Sequence, residues 1–194
     1  MKRKTLLRDA DIRDGLCFFL EEKYGKVRFF EEMRIGSSRA DIVMVAEDGL
    51  VGIEIKSDAD SYSRLPRQIR DYDGFFERNI LVAGSTHAFH AAEHIPPHRG
   101  IFIVNQEGGS LDWYELRAPR KNRNAALKKR LGLLWRREMA QIQEKNGLFA
   151  YRKKSRAFVE RYLLGSLSPE KLERDLIETL FERDYTILED RPGR

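Results

Sequence analysis

Three ionisable side chains, those of Asp41, Glu54 and Lys56, lie in two apolar segments with the composition of β-strands. Side chains alternate along a strand, so Glu54 and Lys56 point to one face and the isoleucines between them to the other. Asp48-Gly49 joins the two segments and predicts a hairpin, in which Asp41 lies opposite Glu54 or one step diagonal to it. Two carboxylates this close repel each other unless a cation lies between them.

The chemistry that these residue types favour is metal-assisted hydrolysis of a phosphodiester. Mg²⁺, or Mn²⁺ in its place, takes carboxylate oxygens and substrate phosphate as ligands. Lys56 lies next along the same face as Glu54, where an ammonium can stabilise negative charge that develops during hydrolysis.

The elements that must position these residues follow from hydrophobic periodicity and turn residues. They predict an α/β fold in which an antiparallel meander leads into a βαβ crossover, giving a mixed sheet with helices on both faces. Glycines in 107–110 predict a hairpin turn rather than a phosphate-binding loop. The predicted elements are a helix over 9–24, strands over 27–35, 40–46 and 50–56, a helix over about 63–76, a strand over 80–84, a short helix within 87–95 and strands over 101–105 and 111–116.

From residue 122 onward the sequence predicts helices alone. One apolar stripe runs from Leu127 through Trp135 to Met139 and predicts a helix with Trp135 in the core. Ser168 followed by Pro169 predicts the start of a later helix. We therefore divide the chain into a core domain, 1–116, and a basic helical extension, 117–194, that we expect to pack on it.

The segment RADIVMVAEDGLVGIEIKSDAD resembles the PD-(D/E)xK nuclease superfamily, in which an Asp opens a strand and Glu-x-Lys follows after a turn. The resemblance implies a restriction-endonuclease-like fold and a metal-dependent nuclease that cleaves DNA rather than RNA. It makes Asp41, Glu54 and the Ile55 carbonyl metal ligands and Lys56 the catalytic lysine. Ala40 stands where the superfamily label has proline.

Other residues extend this resemblance. Glu32 matches the upstream acid that often joins the metal site, with Glu22 as the alternative. Gln68 and Tyr72 match the Q-x-x-x-Y motif of RecB-like members, which implies that both lie beside the catalytic residues; Arg64, one turn earlier, extends their ridge toward a phosphate. RADI, GIEIKSDADS, RLPRQIRDY and LGLLWRREM together are similar to a bacterial and phage family within the superfamily.

Charge is distributed unevenly along the chain. Residues 1–116 carry 16 Lys and Arg against 20 Asp and Glu, whereas residues 117–156 carry 14 against 2. A basic block of this density favours a polyanion such as nucleic acid over the alternative of a solvated helix surface. The residues that we expect to contact nucleic acid are Arg39, Arg64, Lys128, Lys129, Arg130, Arg136, Arg137, Lys153 and Lys154.

The remaining composition restricts the compartment and leaves alternatives open. The lone Cys17 excludes an intramolecular disulfide and a cysteine-based zinc site, and the absence of a signal peptide or an apolar span favours a cytoplasmic protein without a membrane partner. His90 and His94 have ligand spacing but no evident third ligand, so a zinc site is not favoured. A non-catalytic nucleic-acid-binding or regulatory protein is the alternative function. A homodimer remains open.

Overall fold

The computed structural model describes residues 7–185, and these divide into two compact units, one extending to Leu133 and the other beginning at Leu134. We call them the sheet unit and the helical unit. Residues 117–133, which the sequence-based division assigns to the extension, belong to the sheet unit. Asn122 shows why, since its side-chain amide donates to the carbonyl oxygens of Asp73 and Phe76 at 2.7 and 3.1 Å.

The sheet unit contains a six-stranded sheet with helices on both of its faces, and the helical unit contains three helices. The elements of the sheet unit are α1 (Asp9–Tyr24), β1 (Arg28–Ile35), β2 (Ser38–Ala46), β3 (Gly49–Lys56), α2 (Leu65–Phe75), β4 (Arg78–Gly84), α3 (Ala91–His94), β5 (Gly100–Glu107), β6 (Ser110–Arg117) and α4 (Leu127–Leu131). Those of the helical unit are α5 (Arg136–Lys145), α6 (Arg156–Ser166) and α7 (Pro169–Phe181). Within residues 7–185, no helix is long and apolar enough to cross a membrane.

The sheet has its strands in sequence order, β1 to β6. Strands β1, β2 and β3 are antiparallel, β4 and β5 continue from β3 in parallel, and β6 returns antiparallel to β5. The predicted mixed α/β sheet, with its meander followed by a crossover, is confirmed. Because α2 connects two adjacent parallel strands, it must lie across one face of the sheet.

Two apolar clusters show which face each helix covers. The first cluster packs α1, through Ile12, Leu16 and Leu20, onto a face that includes Ile53 and Ile55 of β3. The second packs Leu65 of α2 and Ala91 of α3 onto Leu81 and Ala83 of β4. Alternation along β3 therefore directs Glu54 and Lys56 toward the α2 face, and the register places them beside Leu81 and Ala83.

Local signals predicted several element ends correctly. Helix α1 covers the predicted 9–24: the Asp11 carboxylate accepts the Arg8 amide at 2.8 Å, and Gly25, with φ 75°, ends the helix. Gly108 and Gly109 have φ of 60° and 96°, as a two-residue turn between antiparallel strands requires, which confirms the hairpin between β5 and β6. Helix α7 begins at Pro169, and Ser168 Oγ accepts the Lys171 amide at 3.3 Å.

The prediction of one helix along the Leu127–Met139 stripe is wrong. Helix α4 ends at Leu131 and α5 begins at Arg136. Gly132 is a poor helix former, and Glu138 caps a new helix by accepting the Trp135 amide at 2.5 Å. Trp135 is consequently a half-buried N-cap residue rather than part of a helical core stripe.

Candidate active site in the sheet unit

A polar cleft of about 590 Å³ opens where β2, β3 and α2 meet. Its lining combines acids from α1, β1, β2 and β3 with several arginines. The lining residues are Asp9, Arg13, Glu32, Arg34, Ser37, Ser38, Arg39, Asp41, Glu54, Ile55, Lys56, Asp60, Arg64, Arg67 and Gln68. Of the predicted catalytic residues, Asp41, Glu54, Lys56 and Gln68 line this single cleft.

Asp41 and Glu54 face each other across the β2–β3 hairpin. Ile42 pairs with Ile53 in the antiparallel register, so the next position along each strand sets Asp41 opposite Glu54. Asp41 Oδ2 accepts the Ile55 amide at 2.8 Å, which fixes the carboxylate against β3. Burial, together with the negative charge of Glu54, raises the pKa of Asp41 from 3.8 to about 7. The predicted proximity of the two carboxylates is confirmed.

Glu54 and Lys56 form a buried ion pair supported by α2. Lys56 Nζ lies 2.6 Å from Glu54 Oε1, and the exposed fraction of each residue is 3% or less. Gln68 joins the pair on both sides, because its Nε2 donates to Glu54 Oε1 and its Oε1 accepts from Lys56 Nζ at 3.3 Å. The side chain of Gln68 thus holds the acid and the base in one fixed arrangement.

Tyr72, on α2, contacts both β2 and β3 through its hydroxyl group. Its hydroxyl donates to Glu54 Oε2 at 2.7 Å and accepts the Asp41 amide at 3.2 Å. The residue is fully buried, and burial together with the charge of Glu54 raises the pKa of Tyr72 well above its usual value. Tyr72 therefore remains a neutral donor that orients Glu54, and it touches the site from within the core rather than from the cleft.

Gly52 explains how α2 comes close enough to β3. A Cβ at this position would lie 2.2 Å from a ring carbon of Phe76 and 2.7 Å from one of Tyr72. Any larger residue would push the helix away from the strand and withdraw Gln68 and Tyr72 from Glu54. The glycine within the GIEIK segment is thus required by close packing.

Glu32 lines the cleft, but arginines occupy its carboxylate. Its Oε1 lies 2.6 Å from Arg13 Nη2, and its Oε2 pairs with Arg39. Glu32 also has φ 54°, an uncommon conformation for a residue other than glycine. Glu22, the alternative, is exposed on α1 and is not among the cleft residues. In residues 7–185, no three His, Cys, Asp or Glu side chains are grouped as a metal would require.

Arg13 is a cleft residue that sequence reasoning missed. Its guanidinium pairs with Asp9 at 2.6 Å and donates to the Asp41 carbonyl at 3.1 Å, in addition to its contact with Glu32. Burial opposes its charge, but the hydrogen bonds that Arg13 donates to Asp9 and Glu32 outweigh burial and raise the pKa of Arg13. The spacing of Asp9 and Arg13 on α1 predicts a surface ion pair, and only the packing of α1 against β2 brings that pair to the cleft.

Arg99 is a second missed residue. It is 1% exposed, its guanidinium lies 5.5 Å from the Tyr72 ring centre, and it donates to Asp73 at 2.7 Å and to the Ile69 carbonyl at 2.9 Å. These contacts attach α2 to the start of β5, next to Tyr72. A single arginine between α3 and β5 carries no sequence signal of this role.

The predicted nucleic-acid contacts of the sheet unit differ in accessibility. Arg39 and Arg64 are exposed at the cleft, and Lys128 and Lys129 are exposed on α4. Arg130 is only 4% exposed, and its guanidinium lies 3.6 Å from Glu77. The prediction that Arg130 contacts nucleic acid is therefore corrected, because its helix face turns into the unit.

In the helical unit, two of the predicted nucleic-acid contacts, Arg136 and Arg137, hydrogen-bond to backbone carbonyls. Arg136 donates to the Tyr151 and Lys154 carbonyls at 3.0 and 2.9 Å, and Arg137 packs on Trp135 and donates to the Asp184 carbonyl at 2.7 Å. Both are half-buried. Lys153 and Lys154 are exposed in the loop between α5 and α6.

The histidines are dispersed. His90 contacts Glu93 at 3.2 Å, and His98 contacts Asp73 at 3.3 Å. His87 and His94 pack against Tyr62, with ring centres 4.8 and 4.4 Å from it. Each histidine thus has local partners of its own.

Comparison with known proteins places the chain in one family. Its sequence matches the family described as Bacteriophage P4 protein cII over residues 2–189. No curated protein matches the chain, and no solved structure matches it. The match covers nearly the whole sequence, including both units, and the chain belongs to the bacteriophage P4 protein cII family.

Proposed function

We propose that the chain is a metal-dependent nuclease of restriction-endonuclease-like fold that hydrolyses phosphodiester bonds, in DNA rather than RNA. The observation that carries the proposal is the pairing of Asp41 with Glu54 across a hairpin, with Lys56 2.6 Å from Glu54 at an open cleft. The preference for DNA follows the sequence resemblance to the PD-(D/E)xK superfamily.

The oxygen donors at the cleft suit Mg²⁺ or Mn²⁺. The carboxylates of Asp41 and Glu54 and the carbonyl of Ile55 are hard ligands, and Mg²⁺ in nucleotide-processing sites commonly uses one or two carboxylates with water and substrate phosphate. Within the described chain, Asp41 Oδ1 accepts no hydrogen bond, so it is available as a ligand. A bound cation would supply Lewis-acid activation of water and neutralise charge on the phosphate.

The protein's own groups provide the remaining chemistry. Lys56 is held by Glu54 and Gln68, so its ammonium is fixed before substrate arrives and loses little conformational entropy when negative charge develops on the phosphate. Tyr72 and Gln68 keep the Glu54 carboxylate oriented. Acid and base are therefore positioned by the scaffold rather than by the substrate.

Arginines at the same cleft can bind the flanking phosphates. Arg34, Arg64 and Arg67 are exposed lining residues. Guanidinium groups bind phosphate oxygens in pairs, so these side chains can orient a phosphodiester backbone over Asp41 and Lys56.

The proposal is tested by cleavage of plasmid, linear duplex, single-stranded DNA and RNA with Mg²⁺ or Mn²⁺. We expect metal-dependent cleavage of DNA, with Lys56→Ala reducing the rate at least about a hundredfold because charge stabilisation in the reaction is lost. Binding of the same DNA in chelator should change little, since Lys56 is only 3% exposed. The exposed Lys26→Ala variant is the matched control.

A second candidate function has its own supporting observation. Both oxygens of Glu54 already accept hydrogen bonds from Lys56, Gln68 and Tyr72, as in a purely structural ion pair. If the Glu54–Lys56 pair is only structural, the protein binds nucleic acid without cleaving it. Salt-sensitive binding without metal-dependent cleavage would support this function, whereas cleavage retained by Lys56→Ala would refute the catalytic role of Lys56.

A further inference from the structure

The helical unit exposes a cluster of aromatic rings around the loop between α5 and α6. Phe149 is 70% exposed. The Tyr151 ring lies edge-on to Phe149, Phe158 and Tyr162, with ring centres 4.8, 5.0 and 5.0 Å away. These four residues, which we call the aromatic cluster, form one continuous surface whose outermost ring faces solvent.

Two lysines lie beside this cluster. Of the five Lys and Arg in residues 145–159, three pair with acids outside that segment: Arg152 with Glu144, Arg156 with Glu160, and Lys145 with Asp175 and Glu178. Lys153 and Lys154 are exposed in the same loop, and Lys154 Nζ lies 5.6 Å from the Phe158 ring centre. An exposed aromatic ring beside two lysines suits a ligand that has both ring faces and negative charges.

The loop is held in place from beneath. Gln143, which is 1% exposed, donates to the Phe149 carbonyl at 2.9 Å. Arg136 donates to the Tyr151 and Lys154 carbonyls at 3.0 and 2.9 Å. These bonds fix the backbone at the exposed ring and in the residues that follow it, so Phe149 is presented to solvent by a preorganised loop. Preorganisation lowers the entropy lost when a ligand binds.

We propose that the aromatic cluster binds single-stranded nucleic acid, with unpaired bases stacked on Phe149 and Tyr151 and backbone phosphates on Lys153 and Lys154. Stacking on an aromatic side chain needs an exposed base face, which a duplex offers only at its ends, whereas single strands offer one at every nucleotide. This binding function is separate from cleavage, because the cluster lies in the helical unit and the acid pair in the sheet unit.

The test measures fluorescence anisotropy of a labelled oligothymidylate and of a duplex of equal length, with the full chain in EDTA so that nothing is cleaved. We expect Phe149→Ala to weaken single-strand binding about tenfold, as for the loss of one stacked base, and duplex binding less than twofold. Phe149→Trp should retain affinity, whereas Phe149→Leu, which is apolar but has no ring, should not. Phe18→Ala is the matched control, since Phe18 is 64% exposed in the sheet unit.

Charge and alternative ligands are tested in the same assay. Lys153→Ala combined with Lys154→Ala should lower the slope of log affinity against log salt by about 1.4, at about 0.7 for each lost phosphate contact. Unchanged single-strand affinity of Phe149→Ala, or an equal loss on duplex, would overturn the proposal. So would Phe149-dependent binding to phosphatidylserine vesicles without binding to oligothymidylate.

Failure here is distinguishable from failure of the nuclease proposal. Phe149-dependent binding by a protein that cleaves nothing would leave this inference intact and refute only the catalytic one. If cleavage depends on Lys56 but Phe149→Ala does not weaken single-strand binding, the nuclease proposal stands and the binding proposal is refuted.

Discussion

Within residues 7–185, each unit contains an ion pair in which both side chains are almost fully buried, and the two pairs differ in geometry. In the sheet unit, Lys56 meets Glu54, and in the helical unit, Arg183 meets Glu138; all four side chains are 3% exposed or less. The Arg183 guanidinium engages Glu138 through two hydrogen bonds, at 2.7 and 2.8 Å, and packs on the Trp135 ring at 4.2 Å. Glu138 also caps α5.

The pair in the sheet unit is arranged differently. Lys56 contacts Glu54 through one nitrogen, and Asp41 faces Glu54 across the hairpin at the edge of a polar cleft. A second carboxylate beside a buried ion pair raises the free energy of the folded protein, because like charges repel in a poorly solvated place. The two pairs are equally buried, so burial alone does not separate them. Only the pair in the sheet unit has a second carboxylate beside it at the edge of a cleft, and the proposed function depends on that difference.

The largest expected effect follows from replacing the acid of each pair by its amide. Glu54→Gln should reduce metal-dependent cleavage at least about a hundredfold, because an amide is a weaker metal ligand and no longer compensates Lys56. Glu138→Gln should retain cleavage per folded molecule, since every cleft residue lies in the sheet unit. Cleavage rates corrected for the folded fraction measure both. Equal losses of cleavage rate in the two variants, when both are folded, would show that the two ion pairs do not differ in their role in cleavage.

The second effect concerns stability. Arg183→Leu leaves Glu138 buried without its partner and should lower the free energy of unfolding by about 3–5 kcal/mol, measured by urea denaturation. Arg152→Ala is the matched control: Arg152 pairs with Glu144 at 2.6 Å in the same unit, but its side chain is 71% exposed, so the expected cost is below about 1 kcal/mol. A loss for Arg183→Leu no larger than that of the control would contradict the structural role.

A third effect is pH dependence of stability without metal. The pKa of Asp41, raised to about 7, means that the folded protein holds this proton more tightly than the unfolded chain does. Protonated Asp41 therefore contributes to the free energy of unfolding below pH 4, and this contribution is lost as the pH rises through 7. Thermal melting in EDTA should show this decline between pH 4 and 8, and Asp41→Asn should reduce it.

A fourth effect, the change in melting temperature on addition of divalent metal, tests whether Asp41 is a metal ligand. At pH 8, Mg²⁺ or Mn²⁺ should raise the melting temperature of the wild-type protein, because a ligand that binds only the folded state stabilises it. The Asp41→Asn variant should show a smaller rise. A metal-induced rise of equal size in both proteins would place the cation elsewhere.

The smallest effect is expected for Tyr72→Phe, which removes one hydroxyl. Losing the bond to Glu54 and the acceptor for the Asp41 amide should cost about 1–3 kcal/mol of stability. Cleavage should fall about tenfold, since Glu54 is then less well oriented. Urea denaturation and single-turnover rates measure these quantities. Wild-type stability and rate in this variant would show that Tyr72 only fills space.

The candidate acid pair could be predicted because its geometry is local. A short turn fixes the register of a hairpin. Ala46 pairs with Gly49, so the turn is Glu47-Asp48 rather than the predicted Asp48-Gly49, and this register selects the directly opposite arrangement of Asp41 and Glu54 from the two that the sequence left open. Helical spacing likewise placed Gln68 and Tyr72 on one ridge of α2. The sequence resemblance added that this ridge faces the acids, and the contacts with Glu54 confirm it.

Local sequence patterns were sufficient to predict the strands, their alternation, both ends of helix α1 and the start of α7, because these depend on residues within a few positions of one another. The sequence did not show that Arg13 reaches the cleft, that Arg130 turns inward or that residues 117–133 belong to the sheet unit; these features follow from tertiary packing. Nor did the sequence show that α4 ends before Trp135. In the first three cases the residue contacts a partner that is distant in sequence, and in the last a new helix cap competes with continuation of the helix. The free energy of these contacts, rather than local propensity, selects the conformation.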